Sequence, residues 1–169
     1  AVAKRCLGFE SEVYVYDPFV EDEEIKKANC IPIEKNKGLK IADYITLHIP
    51  LNQNTKNFIS TNEFEIIKKT AIVVNASRGG IINEEVLITA LENNQIQAAA
   101  LDVFEKEPPP ENHPIYKFDN VLLSPHNSAL SLECRKRMSI EAASSIVNYL
   151  TDRKKLNLTN IVNKKDLDI

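Results

Sequence analysis

Short apolar runs alternate with polar, helix-forming stretches along most of this chain. Residues 44–49, 71–75, 97–103 and 121–123 are rich in aliphatic and β-branched side chains and read as strands. Residues 61–69 and 84–92 read as helices between them. The first carries acids early and lysines late, as the helix dipole favours. The second follows Asn83, a good capping residue. Strands that alternate with helices argue for βαβ units and a parallel sheet. The 71–75 run is nearly all apolar, which predicts a strand buried on both faces. Residues 1–8 read as a helix already under way, 12–16 as a strand and 21–29 as a polar helix. Residues 31–33 form a short edge strand, since Pro32 suits an edge, and 38–43 a brief helix. From Ser131 to Leu150 a long helix carries Met138, Ala142 and Ile146, and Ala143, Val147 and Leu150, at helical spacing, a predicted packing stripe.

Composition narrows the function classes. A net charge of −3 provides no electrostatic footprint for nucleic acid, and no basic stripe interleaves with aromatics. The apolar runs fall far short of the roughly 20 residues needed to cross a bilayer as a helix. The three cysteines, Cys6, Cys30 and Cys134, are odd in number and lack metal spacing. They fit reduced thiols in a cytoplasmic protein, with Cys6 and Cys134 as small buried hydrophobes on helices. No serine sits in a nucleophile elbow, and no residues have metal-ligand spacing.

The candidate chemistry lies just after the predicted strands. Arg78 follows the 71–75 run, Glu107 the 97–103 run and His126 the 121–123 run. In an open parallel sheet, ligands bind beyond the carboxyl ends of the strands. Arg78 offers a planar fork for a substrate carboxylate, and Gly79-Gly80 behind it allows close backbone approach to a ligand. His126 has the side chain to move a proton near neutral pH, and a carboxylate beside an imidazole favours its protonated form. Glu107 is the candidate partner. A cation, a carboxylate and an imidazole at one sheet edge suit oxidation of a hydroxy acid by a bound cofactor. His48, inside a strand, and His113, among prolines, are assigned structural roles.

Asp17 ends the 12–16 strand, where a dinucleotide-binding unit places the carboxylate that accepts from an adenosine ribose and disfavours a 2′-phosphate. The competing role is a turn-forming Asp before Pro18. Asp102 ends another strand and is a candidate for the nicotinamide carboxamide, against a turn or cap role. Counting back from Asp17 puts the glycine-rich phosphate loop upstream of Ala1. In the strand order 3-2-1-4-5-6 the first strand is central. Without it, the Asp17 strand and its neighbour, strands 2 and 3 of that order, lose their bridge to strands 4 to 6. We therefore expect an N-terminally truncated, doubly wound α/β sheet whose missing strand comes from upstream sequence or another chain.

Five stretches together resemble the D-isomer-specific 2-hydroxyacid dehydrogenases. They are Tyr16-Asp17-Pro18, residues 42–51, the run Val74-Asn75-Ala76-Ser77-Arg78-Gly79-Gly80, residues 100–108 and residues 124–129. The resemblance implies a Rossmann-type NAD-binding domain over 1–127, with 128–169 as a long interdomain helix and a return segment to a substrate domain. It implies a small 2-hydroxy or 2-oxo acid as substrate, and a homodimer or larger homo-oligomer for the complete protein. Arg78 would hold the substrate carboxylate, with His126 as acid/base paired with Glu107. Asp17, Ile49, Ala76, Ser77, Asp102 and Asn127 would contact NAD. Glu107 points to the hydroxyacid branch, since the related formate dehydrogenases lack that carboxylate. The closing segment, 146–163, is similar to phosphoglycerate dehydrogenases. The alternative is an inactive or NAD-sensing, corepressor-like fragment of the same fold.

Overall fold

A computed structural model describes residues 1–158 and 161–166. The chain divides into two compact units, Ala1–His126 and Asn127–Ile169. Six parallel strands form two separate sheets in the first unit, and the second is built around one long helix.

The first unit opens with helix α1 (Val2–Gly8), strand β1 (Tyr14–Val15), helix α2 (Asp22–Lys27), strand β2 (Ile31–Pro32) and helix α3 (Lys35–Ile41). β1 and β2 pair in parallel as a two-stranded sheet, with Pro32 on its edge position as expected. Next come β3 (Tyr44–Leu47), α4 (Thr61–Ile66), β4 (Ile72–Asn75), α5 (Glu84–Glu92), β5 (Ala98–Leu101) and β6 (Val121–Leu123). These four strands form a second parallel sheet in the order β3-β4-β5-β6. Among the described residues no ladder joins the two sheets, the split expected of a doubly wound fold without its central strand.

Alternation of side chains explains where the core sits. On one face Ile45, Leu47, Val73, Ala99 and Leu101 are buried, packed with Phe64 of α4 and with Leu87, Ala90 and Leu91 of α5. The other face is more open. Tyr44 and Leu122 are 74% and 73% exposed, while Ile72 and Val74 are only half-buried. The expectation that β4 is buried on both faces is therefore corrected. The crossover helices α4 and α5 cover one side, and an apolar run cannot report which side lacks a cover. Several elements are also shorter than their patterns. α4 stops at Ile66, so Lys68 and Lys69 lie beyond it, and Lys68 pairs with Asp43 at 2.9 Å instead of answering the helix dipole. A capping box between Ser60 and Glu63 sets its start.

In the second unit, α6 (Leu132–Thr151) is capped by Ser131, whose hydroxyl accepts from the Cys134 amide at 3.2 Å. None of its residues is buried, and Met138, Ile146, Val147 and Leu150 of the predicted packing stripe are exposed. Cys30 is the one buried cysteine; Cys6 and Cys134 are only partly covered, contrary to expectation. Among the described residues no helix is long and apolar enough to cross a membrane. Part of the 146–163 segment, including Asn160, lies outside the described residues.

Candidate active site

The register of the four-stranded sheet places the candidate loops side by side. Leu47 pairs with Asn75, Asn75 with Leu101, and Leu101 with Leu123, so the strands end level with one another. The loops that begin at His48, Ala76, Asp102 and Ser124 thus leave from one carboxyl edge.

Asn75 organises the second of these loops. It is a buried polar residue at the end of β4. Its Oδ1 accepts from the Ser77 amide at 3.1 Å and the Ser77 hydroxyl at 2.8 Å. Its side-chain amide donates to the Arg78 carbonyl at 2.9 Å. An apolar strand has no need of such a side chain; its role here is to hold the Ser77–Arg78 turn. Arg78 itself is exposed and donates to the Ser77 carbonyl at 2.6 Å. Among the described residues no carboxylate forms an ion pair with it. A cleft of about 340 Å³ is bounded by His48, Ile49, Pro50, Ser77 and Arg78. His48, assigned a structural role from its position in an apolar run, falls outside β3 because the strand ends at Leu47. Its Nε2 lies 3.0 Å from the Thr46 hydroxyl. Ala76 is exposed beside this loop.

Gly79 is required for a reason other than ligand approach. A Cβ there would stand 1.8 Å from the Phe104 carbonyl oxygen. The close approach is to the protein's own backbone, which fastens the Arg78 loop to the one after β5. Gly80 adopts φ +77°, a left-handed conformation that glycine takes without steric cost.

Glu107 and His126 meet directly. His126 Nδ1 is 2.7 Å from Glu107 Oε2. An ionised carboxylate only accepts, so Nδ1 carries the proton and Nε2 is the ring atom left for other chemistry. Glu107 Oε1 accepts from the Phe104 amide at 3.1 Å. The hydrogen bond from His126, seconded by that amide, holds the Glu107 carboxyl below its ordinary value. Both side chains are open to solvent, 48% for His126 and 37% for Glu107. His126 has φ +51°, in the left-handed region that costs a non-glycine residue strain. Its amide donates to the Asp102 carbonyl at 2.8 Å, which ties this bend to the end of β5.

Asp102 is buried, and its Oδ1 accepts from the Ser124 hydroxyl at 2.6 Å. Asp17, beyond β1, accepts from the Phe19 amide through Oδ1 at 2.9 Å, so the turn-forming role expected of an Asp before proline is realised. Asp17 also borders a cleft of about 300 Å³ with Tyr16, Asp22, Ile25, Ile33 and Glu34. Asn127 opens the second unit, where its carbonyl accepts from the Leu130 amide at 2.9 Å. Of the candidate trio, then, the structure joins Glu107 to His126 and places Arg78 two strands away on the same sheet edge.

Residues 1–128 match the family model described as D-isomer specific 2-hydroxyacid dehydrogenase, NAD binding domain. The chain belongs to this family. It is 40% identical to D-3-phosphoglycerate dehydrogenase of Archaeoglobus fulgidus over 163 residues, covering 95% of this chain and 31% of that protein. It is 35% identical to glyoxylate reductase of Korarchaeum cryptofilum, covering 95% of this chain and 48% of that one. Among solved structures it is similar to an NAD-complexed D-isomer specific 2-hydroxyacid dehydrogenase from Lactobacillus delbrueckii ssp. bulgaricus. There the TM-score is 0.83 and the identity 26%, over 96% of this chain and 52% of that one. The D-lactate dehydrogenase with NAD+ from Lactobacillus jensenii matches with TM-score 0.80 and 27% identity, over 86% of this chain and 47% of that one. The chain thus spans between about a third and a half of the length of these curated relatives.

Proposed function

We propose that this chain is the nucleotide-binding and catalytic portion of an NAD-dependent oxidoreductase that interconverts a D-2-hydroxy acid and its 2-oxo acid. The observation that carries the proposal is the 2.7 Å contact between His126 Nδ1 and Glu107 beside a sheet edge that also presents the exposed guanidinium of Arg78, which has no carboxylate partner among the described residues. Glu107 fixes the tautomer and orientation of the ring, so that Nε2 takes the hydroxyl proton in oxidation and returns it in reduction. Arg78 holds the substrate carboxylate in a two-pronged contact and draws charge from the neighbouring oxygen.

The residues fit the cofactor. The cleft beside Asp17 combines apolar walls, Val15, Ile25 and Ile33, with three carboxylates, Asp17, Asp22 and Glu34. Such a cleft accepts a hydroxyl-bearing adenosine and repels an added phosphate, which favours NAD over NADP. Asp17 would bind the ribose, while Ile49, Ala76, Ser77, Asp102 and Asn127 would contact the remainder. A nicotinamide held there would supply the hydride acceptor for oxidation and the hydride donor for reduction. The family likeness supports a homodimer or larger homo-oligomer of the complete protein, and the three free cysteines support a cytoplasmic setting.

Titration of NADH, followed by the cofactor's own fluorescence because the chain has no Trp, tests the binding half. A panel of 2-oxo acids, assayed with the complete protein by loss of NADH absorbance, tests the chemistry. Saturable binding with no turnover of any 2-oxo acid would replace the enzyme with an NAD sensor.

A further inference from the structure

A second carboxylate cluster sits behind the candidate pair. Glu84 is the first residue of α5, and Glu105 lies two residues before Glu107. The two exchange backbone hydrogen bonds. The Glu84 amide donates to Glu105 Oε1 at 3.0 Å, and the Glu105 amide donates to Glu84 Oε1. The second oxygen of Glu84 lies 3.2 Å from His113 Nε2. His113 Nδ1 accepts from the Ile115 amide at 3.2 Å, so its proton is on Nε2, pointed at Glu84. The His113 ring also meets the Phe104 ring edge-on, with centroids 6.0 Å apart. Phe104 is the residue whose amide holds Glu107 and whose carbonyl abuts Gly79.

We infer that Glu84, Glu105 and His113 form a positioning clasp, which holds the turn from Phe104 to Glu107 so that Glu107 meets His126. The inference rests on the assignment of His126 as acid/base and extends it to three residues that act through Glu107. Its physical basis is the geometry of the turn. Glu107 is held by the amide of the buried Phe104 and by one imidazole that is open to solvent. In the clasp behind it Glu105 is exposed, while the Glu84 and His113 side chains are only 14% and 12% exposed. The stiff partner therefore sets the position of the soft one.

The experiment is a double-mutant cycle on kcat/KM for 2-oxo acid reduction by the complete protein. Glu84→Ala, which removes the acceptor for both the Glu105 amide and His113, is expected to lower kcat/KM about 10-fold, as displacement of a reacting group does. Glu84→Gln keeps one carbonyl acceptor and is expected to restore part of the loss. In a Glu107→Gln background, Glu84→Ala should have no further effect, because the clasp acts only through Glu107. Multiplicative losses in the double variant would overturn the inference, as would an unchanged rate in Glu84→Ala. Should Glu84→Ala fail to fold, His113→Ala runs the same cycle, with the exposed Glu85→Ala as control. Amide exchange separates this inference from the activity it rests on. In Glu84→Ala the Phe104 amide should exchange faster whether or not the wild type turns over, and unchanged exchange there refutes the clasp. A wild type that reduces no 2-oxo acid, with the exchange effect present, would retain the clasp and overturn only the assigned chemistry.

Discussion

The molecule contains the same two-residue unit twice, a histidine against a glutamate, and the two copies differ in every respect that matters for chemistry. In the pair of His113 and Glu84 both ring nitrogens are engaged and the side chains are largely covered. In the pair of His126 and Glu107 only Nδ1 is engaged among the described residues, and the ring stands at the rim of the sheet in a strained backbone. Their carboxyls respond in opposite senses. Burial pushes Glu84 up, helped by the charge of Glu105, although the Glu105 amide and His113 act against it. The hydrogen bond from His126 pulls Glu107 down. A His–Glu contact is therefore no evidence of catalysis by itself. What distinguishes the copy proposed as acid/base is a ring nitrogen with no hydrogen-bond partner among the described residues.

The strongest test of that contrast removes the His126 ring. His126→Asn, chosen because Asn tolerates the left-handed backbone, is expected to cut turnover by about 10³-fold while NADH affinity is kept, as loss of a general acid/base does. Turnover within a few-fold of wild type would end the distinction between the copies. Arg78→Ala comes next. Loss of a two-pronged charged contact of roughly 1.5–3 kcal/mol should raise KM for the 2-oxo acid by about 10- to 100-fold, read from initial rates. A Gly79→Ala protein sharpens the geometry between the copies. A methyl at 1.8 Å from the Phe104 carbonyl must displace one loop, and overpacking of this kind costs about 1–3 kcal/mol, seen as a lower midpoint in urea.

The smallest effect carries the sign of the two pKa shifts. Glu107 has a folded value below the ordinary 4.5, so its contribution to stability is present above 4.5 and is lost as pH falls through the folded value. Glu84 has a folded value above 4.5, so its burial costs nothing below 4.5 and destabilises progressively as pH rises through the folded value. Glu107→Gln should flatten the acid side of the stability profile, and Glu84→Gln the stretch above 4.5. For the solvent-screened Glu107 pair the change should stay below about 1 kcal/mol. Profiles that shift in the same direction for both variants would contradict the contrast.

The order of elements was legible in the sequence because the alternation of apolar runs and helical stretches is a local signal. So was the level sheet edge, since Arg78, Glu107 and His126 each follow such a run. Other features depend on contacts between distant residues. Nothing in the 71–75 run reports that Ile72 and Val74 face a side without a covering helix. Nothing around Gly79 names Phe104 as its obstacle, and glycines near a suspected ligand invite the wrong reason. Asn75 did leave a trace, as a polar side chain closing an apolar strand, yet its hold on Ser77 and Arg78 needed the fold. The clasp was masked more thoroughly. Glu84 looks like a solvated acid at a helix start, and His113 like a loop residue among prolines, because their meeting depends on the turn between β5 and β6.

The split between the sheets leaves β3 as a border strand. One line of its main-chain donors and acceptors has no ladder partner among the described residues. The strand, Tyr44–Leu47, contains no charge and no proline, the devices by which natural proteins blunt such borders. Tyr44 adds a large exposed ring to it. A concentrated solution of this chain alone is thus an open invitation to strand-to-strand aggregation, and the practical consequence is colloidal: dilute handling, and light scattering before any assay.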